Sequence, residues 1–284
     1  MGAMPAPEPA RDDAAAKPSF GPEWLDRAVR FAWTAMSFTL FGLGGLAVGI
    51  VVFPLLALVV RDKDRRERMT RGIVSQLFRA FIAIMAQVGL TYRVRGAEPG
   101  DDGAPVNAPN ASGVGTLVVA NHPTLIDVVF LLALFPGAVS VVKRAHWFNP
   151  FMMATVRMAR YIPNHDTTQL LDSAEQRLRQ GECLILFPEG TRTVPGQPVR
   201  FRRGAALAAL RAGADILPIR ITCEPLLLHK HSPWYHVPVT RPRWTFEVLD
   251  RLPADEFQAM GDSERSRSQA LTAELQSRLT GGVK

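Results

Sequence analysis

From Phe31 to Val60 the chain carries no charged residue, and nothing else in its 284 residues narrows the choice of fold so much. As one continuous helix this run would be ~45 Å long, against a bilayer hydrocarbon core of ~30 Å. It is long enough to cross a membrane once with a tilt. Gly42, Gly44, Gly45, Gly49 and Pro54 interrupt it, so a bent or re-entrant helix fits equally well. A buried helix of a soluble domain is a poor match for so long an uncharged stretch. Arg61, Lys63, Arg65, Arg66, Arg68 and Arg71 follow directly, and a basic cluster beside an apolar segment is attracted to anionic lipid head groups. If the run spans once, the positive flank stays in the cytoplasm and carries everything downstream with it.

That cluster accounts for much of the net charge of +7, from 33 Lys+Arg against 26 Asp+Glu. Nucleic acid is the competing partner for a basic chain, but no nucleic-acid-binding module is recognisable and few aromatics lie near the cluster. The expectation is no nucleic acid. Cys183 and Cys223 are too few for a disulfide framework and form no CxxC pair, so they read as buried free thiols of a reducing compartment. Residues 1–22, rich in Ala, Pro and charge, read as a disordered tail that lacks the n- and h-regions of a secretory signal.

Beyond the apolar run, Ile73, Leu77, Phe81, Ile84, Met85 and Val88 recur at helical spacing, with Arg71, Gln76 and Arg79 elsewhere on the wheel. This predicts an amphipathic helix over 70–89, lying in the membrane interface or packed on the domain. Residues 23–90 thus form a membrane-associated helical segment. From 91 to 254 strand and helix alternate. Strands are expected at 91–96, 116–120, 140–143, 183–187, 216–222 and 243–250, and helices at 124–134, 167–180 and 203–211. A surface loop fills 97–115. Such alternation predicts an α/β domain with a largely parallel central sheet flanked by helices, whose functional groups collect at the carboxyl ends of the strands. Residues 255–284 supply a charged C-terminal amphipathic helix, 262–279, and a tail.

Two of those strand ends carry chemistry. The first reads Asn121-His122-Pro123-Thr124-Leu125-Ile126-Asp127. Histidine serves as a general base near neutral pH when a partner fixes its tautomer. Within one regular helix His122 and Asp127 would point about 140° apart. With His122 in the turn before the helix and Pro123 near its start, the carboxylate reaches back to the ring, like the His–Asp part of a catalytic triad. A structural histidine is the alternative for His122 taken alone. The second end reads Phe187-Pro188-Glu189-Gly190-Thr191-Arg192. Arginine suits capture of phosphate and glycine admits close backbone approach, while a Glu–Arg ion pair at a loop would equally explain two of the four. "HKH" at 229–231 has the look of a metal-ligand pair but reads as a solvated loop, so no metal is expected.

Together, "NHPTLID" and "FPEGTR" resemble the signature blocks of the glycerolipid acyltransferase family, typified by bacterial 1-acyl-sn-glycerol-3-phosphate acyltransferases. "LPI" at 217–219 and "FRRGA" at 201–205 resemble two further family blocks, and the likeness runs from about Tyr92 to Leu252. The resemblance implies a membrane-bound O-acyltransferase that moves a fatty acyl group from acyl-CoA or acyl carrier protein to a lysophospholipid hydroxyl, giving phosphatidic acid from 1-acyl-glycerol-3-phosphate. His122 would be the base and Asp127 its support. Glu189, Gly190, Thr191, Arg192, Lys143 and Arg203 would bind substrate, with backbone N–H groups near Gly190 for the oxyanion. Neither cysteine is required, nor any cofactor beyond the donor. The implied location is the inner (cytoplasmic) membrane, with the catalytic domain on the cytoplasmic face. Trp147, Phe148, Phe151 and Met152 would contact lipid or pack in the core. One family block departs: Asn164 stands where an arginine would face the acceptor phosphate, which keeps another lysolipid, glycolipid or amino-lipid acceptor in view. From a different class, a catalytically silent lipid-binding scaffold would share the fold.

Overall fold

A computed structural model describes residues 21–96 and 107–281. The tail expected over 1–22 therefore lies almost wholly outside the described residues, as do residues 97–106 of the loop. The apolar run forms α1 (Glu23–Ala47), one π-helical turn (Val48–Val52) and α2 (Phe53–Val59) in unbroken succession. The π turn has a local cause. Pro54 offers no N–H to the carbonyl four residues back, and the Phe53 N–H bonds instead to the Val48 carbonyl, five back. Over Glu23–Val59 the mean hydropathy reaches 2.4, with only 6% of the most apolar window buried. By length and composition this helix could cross a membrane.

The next helix, α3 (Lys63–Ala86), begins seven residues before the amphipathic stretch predicted from 70. Asp62 caps it, accepting from the Arg65 N–H at 2.6 Å, and the basic cluster becomes its first turns. Arg61, Lys63, Arg65 and Arg68 are exposed, but Arg71 is buried, so one member of the supposed lipid-facing cluster belongs to the interior. α3 is also apolar enough to be a candidate span, though 39% of its best window is buried in the protein.

The domain is α/β with seven strands in the order β1-β7-β6-β2-β5-β3-β4. These are β1 (Thr91–Arg95), β2 (Leu117–Ala120), β3 (Val139–Lys143), β4 (Ile162–Asn164), β5 (Leu184–Leu186), β6 (Ile216–Glu224) and β7 (Arg243–Val248). Every neighbouring pair is parallel except β6 with β7, so β7 and β1 run against the other five. β4 was not expected. It is three residues long, too short for a periodic signal, and is held by pairing Asn164 with Lys143. The central strands β2 and β5 are fully buried, which is why they read as unbroken apolar runs.

Helices cover the sheet as the pattern predicted. α4 (Asp127–Leu134) seats Phe130 among the rings of Tyr92, Trp244 and Phe246, at centroid distances of 5.3, 5.7 and 4.9 Å. α6 (Thr167–Arg179), α7 (Gly204–Ala212) and α9 (Glu264–Thr280) pack side by side over β2, β5 and β6. The C-terminal amphipathic helix thus has an intramolecular role: Leu271, Leu275 and Leu279 of α9 are buried in the core. Short α5 (Met153–Met158) and α8 (Ala254–Gln258) complete the order.

Candidate active site

β2 and β5 lie side by side, and the chain turns out of both at the same edge of the sheet. Asn121 continues the ladder where β2 stops. Its amide donates to the Ile221 carbonyl at 2.8 Å and accepts from the Ile221 N–H at 2.7 Å, fixing where the next residue stands. That residue is His122. The helix then begins at Asp127, not at Thr124, so His122 and Asp127 are not both helical. Residues 123–126 form a turn that folds the carboxylate back toward the ring.

His122 Nδ1 lies 2.9 Å from Asp127 Oδ2. The same carboxylate accepts the Thr124 N–H at 2.7 Å on Oδ2 and the Thr124 hydroxyl on Oδ1. Asp127 is wholly buried, while the His122 side chain is 17% exposed. A carboxylate already supplied with donors accepts from Nδ1 as well, which leaves the neutral ring's lone pair on Nε2. Nε2 has no partner among the described residues, on a side chain that solvent partly reaches. The Phe187 ring lies nearly parallel to the imidazole (centroids 4.2 Å apart, planes at 22°) and blocks rotation on that side.

Glu189 joins the two strand ends. Its Oε1 accepts the backbone N–H of His122 at 2.8 Å, and the Thr193 hydroxyl lies 3.0 and 2.9 Å from its two oxygens. Thr193 in turn donates its N–H to the His122 carbonyl at 2.8 Å. The backbone of His122 is therefore held from both sides. Burial pushes the Glu189 carboxyl above the usual range and the charge of Asp127 adds to this, against the hydrogen bonds from His122 and Thr193.

The other expected substrate contacts are distributed differently. Gly190 has φ 68, a left-handed turn that a side chain would strain, and a Cβ there would stand 3.3 Å from Arg202 Nε. Its own N–H is spent on the Phe187 carbonyl at 3.1 Å, so it is not a free oxyanion donor; the N–H groups of Thr191 and Arg192 have no acceptor among the described residues. Arg192 Nη1 donates to the carbonyls of Leu228 and His229, at 3.0 and 3.1 Å. It fastens the segment that contains "HKH", which is seated on the site: Leu228 also accepts the Leu125 N–H, and His229 is half-buried. No cluster of three or more potential metal ligands occurs among the described residues. Lys143 and Arg203 are exposed, at the carboxyl end of β3 and the start of α7, and neither makes an ion pair among the described residues.

Thr124, Phe187, Thr193 and Trp244, whose indole donates to Thr124 Oγ1 at 3.2 Å, belong to this constellation but escaped the sequence reading of the site. A hydroxyl two residues after His122 was the one visible signal. Both thiols are pushed up to about 12 by burial, so neither cysteine is suited to carry an acyl group.

Residues 104–222 match the family model described as acyltransferase. The match covers less than half of the chain, and over this stretch the chain is similar to acyltransferase-family domains. A 1-acyl-sn-glycerol-3-phosphate acyltransferase from Pseudomonas aeruginosa is 30% identical over 137 residues, covering 46% of this chain and 49% of the relative. A probable 1-acyl-sn-glycerol-3-phosphate acyltransferase from Mycoplasma pneumoniae is 29% identical over 126 residues, 41% of this chain and 47% of the relative. The chain thus spans about half the length of these relatives. The crystal structure of a 1-acyl-sn-glycerophosphate acyltransferase from Thermotoga maritima superposes with a TM-score of 0.63 at 17% identity, over 90% of this chain and 97% of that one. At that identity the likeness establishes the fold.

Proposed function

We propose that the chain is a membrane-bound acyltransferase that moves a fatty acyl group from a thioester donor, acyl-CoA or acyl carrier protein, to the free hydroxyl of a lysophospholipid. The favoured reaction turns 1-acyl-glycerol-3-phosphate into phosphatidic acid, the activity named for the relatives above. The observation that carries it is the 2.9 Å His122–Asp127 pair, with Nε2 unengaged among the described residues, in the stretch that matches the acyltransferase family model.

In this reading His122 Nε2 takes the acceptor's hydroxyl proton as its oxygen attacks the thioester carbonyl. Asp127 steadies the imidazolium through Nδ1. The N–H groups of Thr191 and Arg192 are the donors available to the tetrahedral oxyanion. When the carbon–sulfur bond breaks, the imidazolium returns its proton to the departing thiolate, leaving an ester and a free thiol. Glu189 acts by holding the His122 backbone and Arg192 by fastening the 228–229 segment. Lys143, Arg202 and Arg203 supply the positive charge that attracts phosphate. The catalytic domain is residues 91–254, and 23–90 hold it at the cytoplasmic face of the inner membrane, where substrates with long chains need not enter water.

Purified protein incubated with acyl-CoA or acyl carrier protein and a panel of lysolipids tests this. Turnover by wild type that His122→Ala lowers on the order of 10³-fold is expected; equal turnover by both would sink the base assignment. A second acceptor reading is favoured by one observation. The β3–β4 pair sets Lys143 beside Asn164, a neutral amide that brings no charge to a phosphate. Turnover only on an acceptor without phosphate would establish that alternative.

A further inference from the structure

Away from the catalytic edge, α1, α3 and the segment 149–155 enclose a cavity of about 350 Å³. Neither His122, Asp127, Phe187 nor Glu189 lines it. Its walls carry no charged residue. Of its three polar side chains, Ser37 donates to the Trp33 carbonyl at 2.7 Å and the Asn149 side-chain oxygen accepts the Phe151 N–H at 3.0 Å, which leaves one amide and the Thr155 hydroxyl among otherwise apolar walls. A ligand there gains burial of apolar surface and little else, which excludes nucleotides, sugars and head groups and fits a hydrocarbon chain.

The side from which such a chain would arrive is also defined. Leu40, Leu77 and Phe151 line the cavity and are 50%, 37% and 45% exposed, so they form its mouth; Val74 and Phe81, both buried, form its floor. The mouth therefore opens on the outer surface of the two helices that are apolar enough to cross a membrane. A chain entering from lipid would pass through no water. Glycine keeps the space open on the α1 side: a Cβ on Gly42 would only touch Phe151 at 3.9 Å, and one on Gly44 would meet nothing within 4 Å.

We propose that this cavity holds one acyl chain of a resident bilayer phospholipid, bound apart from the reacting substrates. The site rests on the membrane reading of α1 and is independent of the catalytic assignment. Full-length protein would be exchanged into vesicles of phosphatidylethanolamine with a minority of anionic phosphatidylglycerol, the phospholipid carrying a diazirine on one acyl chain. Photolysis is expected to label peptides from α1 around 40–45, α3 around 74–84 and the 149–155 segment.

Gly44→Phe fills the space from α1, and Ala80→Phe does so from α3 should the first variant fail to fold. Either should cut labelling of those peptides at least tenfold, with vesicle binding retained. Leu43→Phe adds bulk to the exposed face of the same helix, outside the cavity lining, and should change nothing. His122→Ala should label like wild type, which separates this site from the proposed reaction. Equal labelling in Gly44→Phe, Ala80→Phe and wild type would overturn the proposal, leaving ordinary boundary lipid. So would a plugged variant that keeps its labelling but shifts its preference for acceptor chain length, since the cavity would then serve the substrate.

Discussion

The two ends of the sheet carry buried polar networks of opposite design. At the amino-terminal ends of β3, β4 and β5, α3 is pinned by charges that satisfy one another. Arg71 donates to Glu67 and Glu182 and to the carbonyls of Gly137 and Ala159. Arg160 and Arg177 complete the set on Glu67, at 2.6 and 3.1 Å, and Arg177 reaches Glu182 at 3.0 Å. At the carboxyl ends of β2 and β5 the network is built from an imidazole, an indole, two carboxylates and two hydroxyls, and it stops one bond short. Asp127 and Glu189 are each fully engaged, yet His122 Nε2 is left without a partner among the described residues. A network that closes on itself holds elements together. One that leaves a basic atom unengaged has something to give to a ligand.

Removing the unpaired atom should have the largest effect on rate and almost none on stability. His122→Ala is expected to lower turnover on the order of 10³-fold, within the range for a lost general base. Its melting midpoint should stay near wild type, because the ring is partly exposed. Asp127→Asn should cost a comparable factor, since an amide can present N–H to Nδ1 and favour the wrong tautomer, and should also destabilise by leaving a Thr124 donor unmatched. If Asp127→Asn kept wild-type turnover, the pair would be structural like its counterpart at the other end.

The converse experiment breaks the closed network. Glu67→Ala leaves three guanidinium groups competing for Glu182 and should cost about 3 kcal/mol, measured by urea unfolding. Turnover per folded molecule should change little, because no element of the site moves with α3's first turns. A large loss of turnover at unchanged stability would mean the two ends are coupled and the contrast drawn here is wrong.

How much of this could be read in the sequence differs between the two ends for a physical reason. The reacting pair at the site is a short-range relation: His122 and Asp127 are five residues apart, and the strand ends announce themselves as apolar runs stopping at polar groups. The bonds from Glu189, Ile221 and Trp244 that hold the pair are nonetheless long-range. The closed network joins residues more than a hundred positions apart, Arg71 with Glu182 among them, and no local pattern encodes that. Arg71 consequently read as part of a solvated basic cluster. Arg192 has a further role that its motif does not announce: its Nη1 donates to two carbonyls of a segment 36 and 37 residues away. The β6–β7–β1 edge was also hidden. β7 alternates in burial like any strand, but its reversed direction is set by how the long connection from β6 returns.

A smaller effect, but one that isolates a single group, is expected at Thr124. Thr124→Val removes the hydroxyl linking Trp244 to Asp127, and should cost about 1–2 kcal/mol and a few-fold in turnover. Glu189 offers the finest test. Its folded-state carboxyl titrates above its unfolded value of 4.5, so the folded protein holds that proton more tightly than the unfolded chain does. The stability this lends is complete below pH 4.5 and is lost as pH rises through the folded value. Glu189→Gln cannot titrate, yet its oxygen still accepts from the His122 N–H and its amide can donate to Thr193. Its melting temperature should therefore rise relative to wild type as pH climbs from 4.5 toward neutrality, then level off, with turnover changed only a few-fold. Other carboxylates titrate in both proteins and cancel in the difference. A flat difference across that range would mean Glu189 is no harder to ionise in the fold than out of it, and a deep loss of turnover would move it from holding His122 to touching the substrate.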